Sequence, residues 1–409
     1  WSTIRMSGNR QFGVPKKDGI ERTSYPNWKK IERFIDSEMW WIDDPILHED
    51  AVDPLLEKKI PFGAFMLGFD FHLTSTGPKL IEINTNAGGL ATVFTFSCTP
   101  EGSPLKEMER KHITNKFIKA IRDEYNIGYK YFHSNYDNSL SNTLTTIAIV
   151  DDNVEKQGLY SEMLEFKRIL EEDNLNAFVV SPEDLHLKDN CLYYNDYRID
   201  FLYNRITPDF RLRDISHQHI RQAGLAGEVV ISPHPATYVR VADKRNLPII
   251  SDKILNSTIE MDEYSFKDII PLTLSMNEKS MDEWIKERKK WVFKPPEGNG
   301  SKGVYRGDKI SATKLKSLPM ESTLAQEYCP PSTSEDGTKL DFRVFTRDND
   351  VLGLATRHFT GQVMEMKGKK SGFKMALPDS VCCFAVLKGS STPFCNPSCS
   401  NCGPNCECG

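Results

Sequence analysis

"GPKLIEINTNAGGL", residues 77–90, ends a short apolar run on a carboxylate and an amide, Glu82 and Asn84, two residues apart. In a strand, residues i and i+2 share one face, so the two oxygen-bearing groups point the same way. Such a pair suits a hard cation that takes oxygen ligands. Upstream, "FGAFMLGFDFHLT" reads as a second strand carrying Asp70, joined to the first by the turn signal Ser75-Thr76-Gly77-Pro78. A metal pair of this kind asks for a polyanion to serve, and that partner must be sought elsewhere in the chain.

The chain of 409 residues is long enough for two or three domains. It is 39% hydrophobic and 27% charged, with a formal net charge of −5. That balance offers no general attraction for nucleic acid or an anionic membrane, so any anion must be gripped locally. No run reaches the roughly eighteen apolar residues of a membrane helix, and "WSTIRMSGNRQFG" has no apolar signal-peptide core. Five cysteines (Cys98, Cys191, Cys329, Cys382, Cys383) are scattered through the body. Scattered thiols fit a reducing compartment, and a cytoplasmic location is expected.

Residues 27–45 have helical apolar spacing up to a proline, and 103–125 read as a charged helix before a polar, linker-like stretch at 133–142. From residue 145 the pattern alternates: "TTIAIVDD" is a buried strand, "LYSEMLEFKRILEEDN" a helix, and "AFVVSP", "RIDFLYNRI" and "EVVISP" are further strands. This alternation argues for a parallel α/β sheet. His217 and His219 in "SHQHI" are read as helix-surface residues.

"WVFKPPEGNGSKGVYRGDKI" places Gly298, Gly300 and Gly303 in G-x-G-x-x-G spacing, with Ser301 and Lys302 inside the loop. The dinucleotide reading requires a helix directly afterwards, yet a strand-like "GVYRGD" follows. A Walker A loop would need Lys-Ser/Thr after its last glycine. Strand–loop–strand is either a flap whose amides close over a triphosphate or a glycine-rich surface hairpin. Protein kinases carry such a flap, but no H-R-D or D-F-G motif is present. Lys294 ends the strand entering the loop, and "LAQEYCPP" sets Gln326, Glu327 and Tyr328 at a strand end suited to line an adenine. Arg343 and Arg357 lie on paired strands and are suited to forked contacts with phosphate oxygens.

This ensemble resembles the ATP-grasp superfamily, in particular its glutathione-synthetase-like ligases. The resemblance covers roughly residues 55–378. It implies an α/β, ATP-grasp fold with a parallel α/β pre-ATP-grasp domain. It also implies ATP as cosubstrate, held by Lys244 (in "VADKRNLPIISD"), Lys294, the flap Gly298–Gly303 and the hinge Gln326, Glu327 and Tyr328. Arg343 and Arg357 would contact phosphates, and Asp70, Glu82 and Asn84 would hold two Mg²⁺ ions. The implied chemistry joins a carboxylate to an amine or thiol through an acyl phosphate, with small-molecule or peptide substrates. A nucleotide-binding regulatory or metal-handling protein without turnover is the competing class. One departure is order. Glu-x-Asn, normally last, precedes Lys294 by more than two hundred residues, so the chain resembles a circularly permuted member. The expected units are 1–140 (N-terminal helices and the permuted metal-binding part), 141–240 (pre-ATP-grasp), 241–378 (nucleotide-binding lobes) and a Cys-rich tail at 379–409. A second departure is the lysine-rich "GQVMEMKGKKSGFKMALP", where glycine is expected.

The tail, "CNPSCSNCGPNCECG", spaces Cys395, Cys399, Cys402, Cys406 and Cys408 as C-x3-C-x2-C-x3-C-x-C. Dense thiols between Gly, Pro and Asn can wrap Zn²⁺ or Cu⁺. Disulfides or peptide modification are the other readings.

Overall fold

The computed structural model describes residues 21–23, 25–42, 53–57, 60, 63–91, 104–133, 143–207, 209–256, 266–296, 302–334, 337–348, 350–363 and 372–378. The strands read from the opening motif are Leu67–Thr74 and Gly77–Asn84, paired antiparallel. They complete a seven-stranded sheet by joining Lys339–Arg347, which pairs in turn with Asp350–Phe359 and then Gly372–Pro378. Strands more than 250 residues apart in sequence are therefore hydrogen-bonded neighbours, Arg343 opposite Asp70.

The two faces of this sheet separate by side-chain alternation. Leu67, Phe69, Phe71 and Leu73 face the core with Phe342 and Val344. Against them packs the amphipathic helix Tyr25–Asp36 through Trp28, Ile31, Phe34 and Ile35. That helix stops at Asp36, short of the proline expected to end it. Glu38 turns to a φ of 52° and the Trp40 indole N–H caps the Ile35 carbonyl at 2.9 Å. A register shift between Asp70 and Phe71 leaves Ile81 as an extra residue, so Leu80 opposes Phe71 while Glu82 opposes Asp70. The bulge lets Leu80 face the core although Glu82, two residues on, faces the other way.

The expected parallel sheet is present, ordered Val230–Ser232, Phe201–Asn204, Thr146–Val150, Asn176–Val180. Its helix, Tyr160–Glu172, buries Met163, Phe166, Ile169 and Leu170. "RIDFLYNRI" is not one strand. Tyr197–Arg198 belongs to a three-stranded meander with His186–Lys188 and Cys191–Tyr194, and Phe201–Asn204 begins after a break. The charged helix runs Pro104–Phe132, longer than its sequence pattern suggested, and residues 134–142 lie outside the described region. A second, four-stranded sheet holds Thr273–Ser275, Leu324–Glu327, Trp291–Lys294 and Tyr305–Arg306 around a core of Trp284, Trp291 and Phe293.

His217 is not a surface residue. Its side chain is 2% exposed, and its two ring nitrogens meet Asp152 Oδ1 and Asp209 Oδ2, each at 2.7 Å. Burial opposes its charge, but the two carboxylates prevail and its pKa is raised. His219 does lie exposed on the helix Gln218–Ala226, with Nδ1 3.1 Å from the Leu185 carbonyl. No helix among the described residues is long and apolar enough to cross a membrane.

Candidate active site

Cross-strand register gathers the charges. Glu82 opposes Asp70, Asp70 opposes Arg343, and Asp341 opposes Arg357, so these five share the face turned away from the helix Tyr25–Asp36. Asp70 is fully buried and lies at the centre. Arg343 grips it with Nε to Oδ1 at 2.6 Å and Nη2 to Oδ2 at 2.7 Å. Arg357 adds Nη2 to Oδ2 at 2.7 Å, and the Asn84 amide donates to the same oxygen at 3.1 Å. Asp341, which no sequence motif singled out, holds Arg357 through Nε at 2.7 Å and Nη2 at 2.6 Å. Burial works against charge on Arg357, yet Asp341 and then Asp70 more than offset it, and its pKa is raised.

The second sheet contributes a lysine from across the gap. Lys294, 4% exposed, donates to Gln326 Oε1 at 2.9 Å and to the Ile81 carbonyl, the bulge residue, at 3.2 Å. Lys244, between the helices Pro235–Val241 and Asn246–Leu255, lies 3.9 Å from Glu82 Oε2. Lys244, Lys294 and Glu82 are therefore neighbours in space. Burial lowers the pKa of Lys294 to about 8, Glu82 opposing the shift and Lys244 adding to it. The ammonium form dominates below that pH and declines above it. For the Mg-ATP that the sequence resemblance implies, affinity is expected to weaken as pH rises through about 8. A Lys294→Arg variant, whose guanidinium stays charged, should lose that step. Isothermal titration with Mg-ATP between pH 6.5 and 9.5 checks it, and an identical pH profile in both proteins would count against Lys294 as a phosphate ligand.

Gln326, Glu327 and Tyr328, the residues expected to line an adenine, lie at the end of Leu324–Glu327, an interior strand of the second sheet. Gln326 is buried and bonded to Lys294 and Thr273. The backbone N–H groups of Glu327 and Tyr328 go to the carbonyls of Leu272 and Lys290. Arg306, on the strand returning from the flap, lies 4.7 Å over the Tyr328 ring. His72, on the same strand face as Asp70, places Nδ1 2.6 Å from the Cys329 carbonyl and so ties the metal-motif strand to this hinge. Its pKa is lowered by burial.

Of the flap, Gly298, Gly300 and Ser301 lie outside the described residues, as do Cys395, Cys399, Cys402, Cys406 and Cys408. Lys302 is exposed. Gly303 has a φ of +74°, and a Cβ there would come 3.2 Å from Pro295 Cγ, so a side chain would strain the turn that ends the flap.

The donor set fits a hard cation. Glu82 offers a carboxylate 27% exposed beside Asn84, whose Nδ2 is spent on Asp70 and whose Oδ1 keeps its lone pairs. Asp70 Oδ2 already accepts from Arg343, Arg357 and Asn84, whereas Oδ1 accepts from Arg343 Nε alone and is the oxygen with capacity to join them. Among the described residues no cluster of three or more His, Cys, Asp or Glu side chains is arranged as a metal site, so the Asn84 amide is part of any such set. The face as a whole offers two buried guanidiniums, two lysines and an oxygen pair, the groups a polyphosphate and its cation require.

No family model matches the chain, and no curated protein does. Solved structures do resemble it. A protein of Methylobacillus flagellatus assigned as a gamma-glutamylcysteine synthetase aligns with a TM-score of 0.53 at 11% identity, over 86% of this chain and 85% of that one. A glutathione synthetase-like effector of Globodera pallida in its apo form aligns at 0.46 and 11% identity, over 87% and 88%. The ATP-grasp ligase PsnB, complexed with a minimal precursor, aligns at 0.32 and 12%, over 56% and 75%. The first of these shows the fold: the chain is a mixed α/β protein with a parallel sheet that shares its overall fold with that Methylobacillus protein.

Proposed function

We propose that the chain is an ATP- and Mg²⁺-dependent ligase joining a small-molecule or peptide carboxylate to an amine or thiol, built on a circularly permuted ATP-grasp fold. The observation that carries this is the face holding Glu82, Asp70, Arg343, Asp341 and Arg357, reached by Lys294 from the second sheet. The permutation is supported by Leu67–Thr74 and Gly77–Asn84 completing the sheet of Lys339–Arg347 from the opposite end of the chain.

In this reading the γ-phosphoryl passes to a substrate carboxylate oxygen as ADP leaves. The amine or thiol then attacks the acyl carbon, phosphate departs and the nucleophile loses its proton. Phosphoryl transfer asks chiefly for positioning and charge neutralisation. Lys244 and Lys294 would hold the triphosphate, and Arg343 and Arg357 would face the transferred group. Glu82 and Asn84, with Asp70, would hold Mg²⁺, which supplies charge neutralisation when bound. One observation favours the second reading, a nucleotide-binding regulator without turnover: both oxygens of Asp70 are engaged by arginines.

The test is ADP release from Mg-ATP across pools of amino acids, short peptides and polyamines. Acceptor-dependent release is expected from at least one pool. Tight Mg-ATP binding with no release from any pool would overturn the ligase in favour of the regulator.

A further inference from the structure

The second sheet has two unlike faces. Phe293 and Ala325 point into its apolar core, with Leu274 packed against them. Side-chain alternation turns Thr273, Gln326 and Lys294 to the other face, toward the strand Gly77–Asn84. Thr273 and Gln326 are cross-strand partners, and Lys294 lies two residues further along, opposite Leu324. All three are buried, at 2%, 4% and 4% exposure, so each polar group must find its partner inside the protein.

Their hydrogen bonds run in one direction. The Thr273 hydroxyl donates to the Pro271 carbonyl at 3.2 Å, Gln326 Nε2 donates to Thr273 Oγ1 at 3.3 Å, and Lys294 Nζ donates to Gln326 Oε1 at 2.9 Å. A hydroxyl has a single hydrogen. With Pro271 taking it, Oγ1 can only accept, so the amide N–H of Gln326 meets it and the amide oxygen turns to Lys294. The opposite amide orientation would set an NH₂ group against the ammonium, two donors face to face. Bonds aligned head to tail also polarise one another. Lys294 directs a second N–H to the Ile81 carbonyl at 3.2 Å and keeps its third for a ligand oxygen. The backbone of Thr273 makes a further tie, its N–H donating to Ser251 Oγ at 3.1 Å. Ser251 is fully buried on Asn246–Leu255, the helix that Lys244 precedes. One residue therefore connects the side chain of Lys294 to the helix beginning beside Lys244.

We propose that Thr273 is a positioning residue for the two lysines: its hydroxyl orients Gln326 so that Lys294 is held in place, and its backbone fixes the same strand to the helix after Lys244. Thr273 itself touches no ligand. The inference rests on the ligase reading and adds how the polyphosphate cations are set before a nucleotide arrives. Lysine stems are long and flexible, and ordering one on binding costs rotamer freedom. A lysine already held by its amide neighbour loses less, and only a ligand bearing phosphates gains from that. An adenosine without phosphates does not. Lys244, 3.9 Å from Glu82, and Lys294 carry like charge at one site, so their separation has to be fixed by the fold rather than left to the side chains.

The experiment uses the full chain and three variants. Thr273→Val keeps the shape and removes the hydroxyl. Thr273→Ala leaves room for water beside Gln326 and is the milder disruption, should the Val protein fold poorly. Thr273→Ser keeps the hydroxyl. Two readouts run in parallel: calorimetric binding of adenosine, ADP and ATP with Mg²⁺ present, and trace acetylation by acetic anhydride with no ligand present. Mass spectrometry reads the acetylation of Lys294 against that of Lys309, which is exposed. Thr273→Val should weaken ADP and ATP by about tenfold or more, the size of a lost hydrogen bond to a charged group, with adenosine within about twofold. Lys294 should acetylate faster by a factor on the order of ten, for the same reason. Thr273→Ala should move both readouts in the same direction, and Thr273→Ser should match the parent. Unchanged acetylation of Lys294 in the Val and Ala proteins overturns the inference and leaves the ligase standing. So does an equal loss of affinity for adenosine and ATP, or a Ser protein as impaired as the Val protein. A parent chain that binds none of the three ligands overturns the ligase, and the acetylation ratio then decides alone whether Thr273 holds Lys294.

Discussion

Replacing Glu82 by Gln is expected to cut acceptor-dependent ADP release by on the order of 10²-fold or more, the loss seen when one preorganised electrostatic group is removed from a site. The substitution is isosteric and the side chain is 27% exposed, so folding should be little affected. What changes is the charge. Gln can still offer an oxygen to a cation, but it no longer neutralises one, and it no longer faces Lys244 at 3.9 Å as an ion-pair partner. The core face of the strand, Leu80 and Ile83, is untouched. Circular dichroism and thermal melting should match the parent chain while single-turnover phosphoryl transfer collapses. Turnover within a few-fold of the parent would remove Glu82 from the site and, with it, the metal motif as the basis of the proposed function.

The second large effect concerns folding. Asp70→Ala should destabilise the protein by about 3–5 kcal/mol, because it strips a buried charge from partners that remain buried. Arg343 is the more exposed to this loss, since Asp70 takes both its Nε and its Nη2 and only the Gly88 carbonyl is left. Arg357 keeps Asp341 through two bonds and should stay in place. Urea unfolding followed by tryptophan fluorescence measures the effect, with Trp28 and Trp40 in the core behind this sheet as reporters. A midpoint equal to that of the parent would show that the two guanidiniums find other partners. The Asp341→Ala variant is the informative companion, because it leaves Arg357 held by Asp70 alone while the grip of Arg343 on Asp70 stays complete.

How much of this was legible depended on how local the signal is. The alternation in "LGFDFHLT" and "LDFRVFTR" announces strands whose even or odd positions share a face, and both strands are present. Glu82 and Asn84 could be paired from spacing alone for the same reason. Asp341 is not legible in the sequence, because a lone Asp two residues before an Arg carries no motif and its role emerges only when Arg357 lies opposite it. His217 departs from the helix-surface expectation because it is held by Asp152 and Asp209, which come from the loops after two different strands. Nothing within a few residues of "SHQHI" encodes that.

The sequence by itself determined the strand and helix content around the motifs, the parallel α/β unit from residue 145, and the set of cations and carboxylates the chain can bring to a polyphosphate. These follow from side-chain period and residue chemistry, which are properties of short segments. Only the tertiary structure decided that Asp70 is locked between two arginines and that Lys294 reaches the Ile81 carbonyl exposed by a one-residue bulge. Register between strands some 270 residues apart is fixed by which apolar faces must be buried together and by a single inserted residue, and a one-residue slip would turn every one of these charges to the opposite face.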